Sequence, residues 1–160
     1  MVTPEIVKTP GRKLLGMNIE TSFGDDKTVE LWSSFMPRRA EIKNKLSEDF
    51  ISLQHYPADF DFQPLTPFTK WAVVEVKSFD STPEGMQTLT LPEGMYATFT
   101  HKGKAHKFRE TLEYIYGTWI PESKYELDDR PHFEVLGEKY KGPNDPNSEE
   151  DVWIPIKQKS

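Results

Sequence analysis

Residues 86–101, MQTLTLPEGMYATFTH, are two alternating runs folded about the corner Pro92-Glu93-Gly94. Proline holds φ near its turn value and glycine relieves the crowding that follows, so Met86 to Leu91 and Met95 to His101 are expected to be strands on either side of that corner. The same pattern stands near the amino terminus. There Glu5 to Val7 and Arg12 to Glu20 flank Thr9-Pro10-Gly11, and Leu15, Met17 and Ile19 alternate as one buried face of a strand.

Outward from these corners the chain repeats its layout. Pro10 and Pro92, Ile51 and Phe133, and Trp71 and Trp153 each stand 82 positions apart. Each half reads as strand, strand, helix, strand, strand. In the first half, Gly24-Asp25-Asp26 opens a helix that Asp25 or Asp26 caps, with Val29, Trp32, Phe35 and Met36 on its apolar face until Pro37 interrupts. Strands follow at Phe50 to Tyr56 and Trp71 to Val76, joined by the proline-rich aromatic loop from Ala58 to Pro67. In the second half, Phe108, Leu112, Ile115 and Tyr116 share a helix face that Gly117 closes, and strands are expected at Phe133 to Leu136 and Val152 to Ile156. The expected fold is α+β, a single domain over 1–160 made of two units, 1–81 and 82–160. Each unit lays one helix on antiparallel strands, and a cleft lies between the units.

The segment Tyr114 to Tyr140 is the candidate functional stretch. Glu134 shares its strand face with Leu136, close to the aromatic cluster Tyr114, Tyr116 and Trp119. A carboxylate among apolar and aromatic side chains suits an organic cation or acid chemistry. An exposed strand residue beside scattered apolar ones has the same periodicity. At the 82-residue offset Glu134 matches Ser52 and Trp119 matches Pro37, so the two halves differ where the carboxylate and indole stand.

Composition narrows the function classes. The chain of 160 residues has no cysteine, which excludes disulfides, thiolate chemistry and cysteine-ligated metals. A formal net charge of -6 disfavours nonspecific binding to nucleic acid or to an anionic membrane. No run is apolar and long enough for a signal peptide or a bilayer span, so a cytoplasmic protein is expected. His101 and His106 lie among lysines that would repel a metal ion, with His132 further on, and the acidic stretch from Asn144 to Asp151 lacks the glycine and final glutamate of a calcium loop. No phosphate loop, dinucleotide fingerprint or nucleophile elbow occurs. Neither a metal nor a cofactor is expected.

The run GTWIPESKYELDDRPHFEV at 117–135, with the closing DVWIPIK at 151–157 and the opening PEIVKTPGRKLLG at 4–16, resembles the gyrase-inhibitor-like (GyrI-like) small-molecule-binding family. That family includes effector-binding domains of AraC- and MerR-type regulators and free-standing members. The resemblance implies two SH2-like repeats in pseudo-twofold arrangement around an aromatic-lined pocket with a glutamate at its base, here Glu134, and an indole, here Trp119. Leu136, Trp32, Tyr56 and Trp153 complete the expected ligand-binding set. Many members carry tyrosine where this chain has Leu136, and regulators add a DNA-binding domain, so direct nucleic-acid binding is not expected. The leading expectation is a binding protein for amphipathic, aromatic or cationic small molecules. The resemblance also implies two rivals, a hydrolase that opens cyclopropane rings with Glu134 and Trp119 as catalytic residues, and a factor that contacts DNA gyrase.

Overall fold

The computed structural model describes residues 3–160. Its framework is antiparallel. The strands are β1 (Glu5–Thr9), β2 (Arg12–Thr21), β3 (Phe50–His55), β4 (Phe68–Glu75), β5 (Gln87–Leu91), β6 (Gly94–Lys102), β7 (Tyr125–Leu127), β8 (His132–Leu136) and β9 (Glu149–Gln158). Eight of them form the order β1-β6-β9-β8-β3-β4-β2-β5, while the short β7 pairs with the last residues of β9. β7 falls in a segment whose sequence has too few alternating residues to read as a strand.

Both corners turn the chain as expected, yet neither closes a hairpin. β1 crosses to pair with β6, and β5 crosses back to pair with β2. Glycine at the second corner has a specific reason. Any side-chain carbon at Gly94 would collide with the Arg130 guanidinium, which donates to the carbonyls of Met95 at 2.7 Å and Ile156 at 3.1 Å.

Helix α1 (Thr28–Phe35) runs on into a 3-10 turn, Met36–Glu41, with Pro37 in its first turn, where a missing N–H costs nothing. Asp26 accepts hydrogen bonds from the backbone and hydroxyl of Thr28 and so supports the helix start. The apolar face differs from the sequence expectation. Leu31 and Phe35 are buried, whereas Val29 is 78% exposed.

The second helix does not stop at Gly117. α2 (Phe108–Tyr114) passes through a π-helical turn, Ile115–Trp119, into α3 (Ile120–Glu122). No helix among the described residues is long and apolar enough to cross a membrane.

Both helices lie on one face of the sheet. Leu31 and Phe35 pack with Leu15, Ala72 and Val74, and Ile115 and Ile120 pack with Ala97, Phe99, Val152 and Ile154. The opposite face carries its own core of Leu14, Ile51, Leu53, Trp71, Val73, Leu91, Tyr96 and Phe133. The sheet is therefore buried on both sides, and the middle of its helix-bearing face lies between two apolar clusters.

The tryptophan correspondence holds by strand and fails by position. Trp153 pairs with Phe133 and Thr98; the residues 82 positions earlier, Ile51 and Gly16, both pair with Val73. Trp71 sits two residues before that place on β4. A shift of two keeps the same face because side chains alternate with period two.

Candidate functional site

The central strands β3 and β8 run antiparallel, with Ser52 directly opposite Glu134, Gln54 opposite His132 and Phe50 opposite Leu136. Directly paired residues share a face. Continuing the row, Ala72 faces Ser52, Val152 faces Glu134, and Phe99 faces Val152. Ala72 packs under α1 and Val152 under the second helix, so Glu134 stands at the middle of the sheet between the two apolar clusters.

Glu134 is 9% exposed. Its Oε1 accepts one hydrogen bond from Gln54 Nε2 at 3.2 Å. Burial raises its pKa above the ordinary carboxylate value, opposed by the charge of Lys70 and by the Gln54 hydrogen bond. A second carboxylate, Glu150 on β9, is pushed up to about 7 by burial and then by the Glu134 charge, with Lys70 again opposing. Two acids and one ammonium thus share this face.

One side of Glu134 is aromatic and hydrogen-bonded. Tyr116 and the buried His132 are joined at 2.7 Å between the phenol oxygen and Nδ1. Burial and the nearby Arg130 lower the His132 pKa to about 3, so its imidazole is neutral across the physiological range. The Tyr56 ring meets His132 edge-on at 5.0 Å between centroids. Burial raises the pKa of both tyrosines, and the Glu134 charge adds to each.

A roof closes over this side. Tyr56 stacks on Phe60 at 4.7 Å, Phe62 packs on both, and Phe23 and Phe68 extend the cluster. Phe62 reaches across to Tyr116 at 6.1 Å, linking the aromatic loop of the first half to the helix of the second. Its backbone is left-handed, φ 59°, which a bulky residue rarely takes.

The expected site residues separate into three groups. Tyr56 stands at the site beside His132, and Leu136, half-buried, shares the Glu134 face one pair further along. Trp32 approaches from α1, with its ring edge-on to Phe50, which pairs with Leu136. Trp119 is set outward. Its ring partners are Phe99 and Tyr125 in the outer cluster, while the side chain that this helix turns toward His132 is Tyr116. Trp153 is a correction. Pairing with Phe133 puts it on the opposite face from Glu134, where it stacks on Phe133 at 5.2 Å and Arg12 lies over its ring. Gln54, Lys70, His132 and Glu150 were missed as site residues. Their signal was alternation in step with Glu134 on neighbouring strands, and reading it requires the strand order.

An α+β ligand-binding domain with a buried acid between two apolar clusters is the class that fold and site define. Residues 3–157 match the model of the GyrI-like small molecule binding domain, and the chain belongs to that family. It is 34% identical over 154 residues to the transcriptional regulator BrlR of Pseudomonas aeruginosa, covering 94% of this chain and 54% of that protein, so the chain spans about half the length of this relative. Among solved structures it resembles the EcmrR C-terminal domain, with a TM-score of 0.76, 11% identity and 99% of each chain covered. It also resembles SAV2435 bound to tetraphenylphosphonium, with a TM-score of 0.69, 12% identity, and 96% of this chain and 93% of that one covered. A hydrolase encoded by lin2189 from Listeria innocua has a TM-score of 0.60, 12% identity, and coverage of 97% of this chain and 92% of that one. At these identities the structural likenesses establish the fold.

Proposed function

We propose that this domain binds amphipathic, aromatic or cationic small molecules with Glu134 as the charge at the centre of the site. The observation that carries this reading is a carboxylate buried between two apolar clusters, given a single hydrogen bond, and walled by Tyr56, Tyr116 and His132. An ionised carboxylate so placed has lost most of its hydration and gained little in return. An organic cation supplies the missing counter-charge, and the aromatic walls supply stacking area and cation–π attraction. Trp32 and Leu136 extend the apolar floor, and Trp119 contributes at the outer end of the row. Tetraphenylphosphonium in SAV2435 supports this ligand class. The reading includes a cytoplasmic location, no cofactor and no direct contact with nucleic acid.

The test is a calorimetric titration with tetraphenylphosphonium. Replacing Glu134 by Gln is expected to weaken binding by about 2–5 kcal/mol, the range for truncating a buried charge pair. Equal affinity of parent and Glu134→Gln would remove the central role of the carboxylate.

We also infer that 1–160 is one domain of two SH2-like repeats, 1–81 and 82–160, related by a local twofold axis through the Ser52–Glu134 pair. Supporting this, the strand order reads alike from both ends, and the pairs Glu5↔Thr98 and Gly16↔Gln87 exchange under the 82-residue offset. Superposing the halves of an experimental structure tests it, and helices that fail to overlay would refute it.

The raised pKa of Glu134 favours a second reading, supported by the hydrolase among the structural neighbours. As general base, Glu134 would take a proton from water while the water oxygen bonds to a cyclopropyl carbon, the opposing ring carbon–carbon bond breaks with its electron pair passing into the ligand's conjugated carbonyl, and the resulting enolate takes the proton back from Glu134. The aromatic partners of that step would be Tyr56 and Tyr116, since Trp119 points outward. Ring-opened product that disappears in Glu134→Gln, with ligand still bound, would favour this reading over simple binding. A gyrase contact rests on the acidic net charge, and unchanged supercoiling in the protein's presence would remove it.

A further inference from the structure

The floor of the site is electrically lopsided. Lys70 on β4 stands opposite Gln54, Gln54 opposite His132, Ser52 opposite Glu134, and Glu134 opposite Val152. Glu150 lies two residues from Val152 and on the same face. Lys70, Glu134 and Glu150 therefore form a diagonal across four adjacent strands, β4-β3-β8-β9. From ordinary strand spacing, the Cα of Glu150 lies about 8 Å from that of Glu134, and Lys70 lies about 12 Å away on the other side. The lysine stem is long enough to lean inward, and its charge acts on both carboxylates. Lys70 makes no ion pair among the described residues.

The two flanking charges occupy matching places. Val73 and Trp153 stand opposite corresponding residues of the two halves, and Lys70 and Glu150 each precede them by three. One half thus places a cation where the other places an anion.

We propose that this diagonal selects zwitterionic aromatic ligands, with the cationic centre held between Glu134 and Glu150 and an anionic group held by Lys70. The inference rests on the small-molecule reading above and specifies its ligand. A plain cation gains the two carboxylates but meets the repulsion of Lys70 and leaves that ammonium without a partner. A dication suffers this twice, because the three groups together carry one net negative charge when all are ionised. A zwitterion meets opposite charge at both ends, and its ring system finds Tyr56 and Tyr116 as aromatic partners beside Glu134. Discrimination then comes from an attractive contact at one end and a repulsive one against the competitor.

Rhodamine B, a xanthylium cation carrying a carboxylate, and its ethyl ester, which keeps only the cation, form a matched pair of probes. Fluorescence anisotropy with the full chain is expected to show the zwitterion bound more tightly than the ester, by about fivefold or more. Lys70→Met, which keeps the aliphatic stem, is expected to abolish that preference, and Lys70→Arg to retain it. Glu134→Gln should weaken both dyes. Equal affinity for the two dyes in the parent, a preference that survives in a folded Lys70→Met, or binding of tetraphenylphosphonium with neither dye bound would each overturn the inference while leaving the cation-binding reading intact. Failure of the parent to bind tetraphenylphosphonium or either dye would remove both.

Discussion

The β3–β8 pair presents two opposite environments one residue apart. On one face Ile51, Leu53, Phe133 and Val135 pack with Trp71 and Trp153; on the other Ser52, Gln54, His132 and Glu134 are buried too, but polar. The same backbone thus carries a face that stabilises the fold and a face that costs it. Burying hydrocarbon is favourable by itself, whereas a buried carboxylate with one hydrogen bond persists only where the surrounding core offsets it. Alternate residues of two strands are in this way divided into an apolar set and a polar set.

The largest expected effect comes from breaking the apolar face. Phe133 is fully buried between Tyr96 and Trp153, and Phe133→Ala is expected to cost about 3–5 kcal/mol in urea unfolding through the cavity it leaves. A loss under about 1 kcal/mol would mean the sheet closes over the gap and the two faces are less distinct than they look.

The polar face responds to pH instead. Glu150 has an ordinary value of 4.5 and a folded value of about 7, so between these the folded state holds a proton that the unfolded chain has released. Stability from this group is therefore lost as pH rises through that window, by about 1–3 kcal/mol after allowing for its partial exposure. His132, lowered to about 3, acts the other way, since the unfolded chain takes up its proton first as pH falls below about 6.5. Comparing the parent with Glu150→Gln from pH 4.5 to 7.5 isolates the first contribution, and identical pH profiles would contradict it.

A smaller effect of opposite sign is expected at the centre. Glu134→Gln keeps an acceptor for Gln54 and removes a buried charge, so the free protein should gain about 1–2 kcal/mol at neutral pH while losing cation affinity. Destabilisation would show that Glu134 holds the fold together after all. The smallest change concerns the roof. Phe62 is 45% exposed, and Phe62→Ala should alter stability by less than about 1 kcal/mol yet speed cation association in stopped-flow quenching. Unchanged association would mean that the aromatic loop does not gate the site.

Much of this arrangement was legible in the chain, and the failures have local causes. The proline-glycine corners, the 82-residue offset and the alternation around Glu134 led to the strands and to a carboxylate beside apolar neighbours. The offset failed at Trp153 because the connection between β8 and β9 is two residues shorter, in paired register, than that between β3 and β4. Such a change preserves alternation and leaves no trace in a sequence pattern. Tyr116 rather than Trp119 is turned toward His132, because a π-helical turn at Ile115–Trp119 continues the helix past Gly117 and shifts its phase within the segment from which the resemblance singles out Trp119. Lys70 and Glu150 share no sequence pattern with Glu134, and only the strand order brings the three onto one face.

The crossed positions of β1 and β5 make each half a lender and a borrower of an edge. Residues Ser81, Thr82 and Glu84, between the halves, are exposed, so a nick there would separate two fragments that each hold a strand belonging to the other's sheet. Neither fragment alone has the partner that covers the open edge of its own β2 or β6. The same bookkeeping holds for two copies of one half, each giving its first strand to the other: their strands fall in the same eight-strand order. The crossing thus ties the site to the whole chain, because β3 and β8, which carry Ser52 and Glu134, are neighbours only when both halves are present.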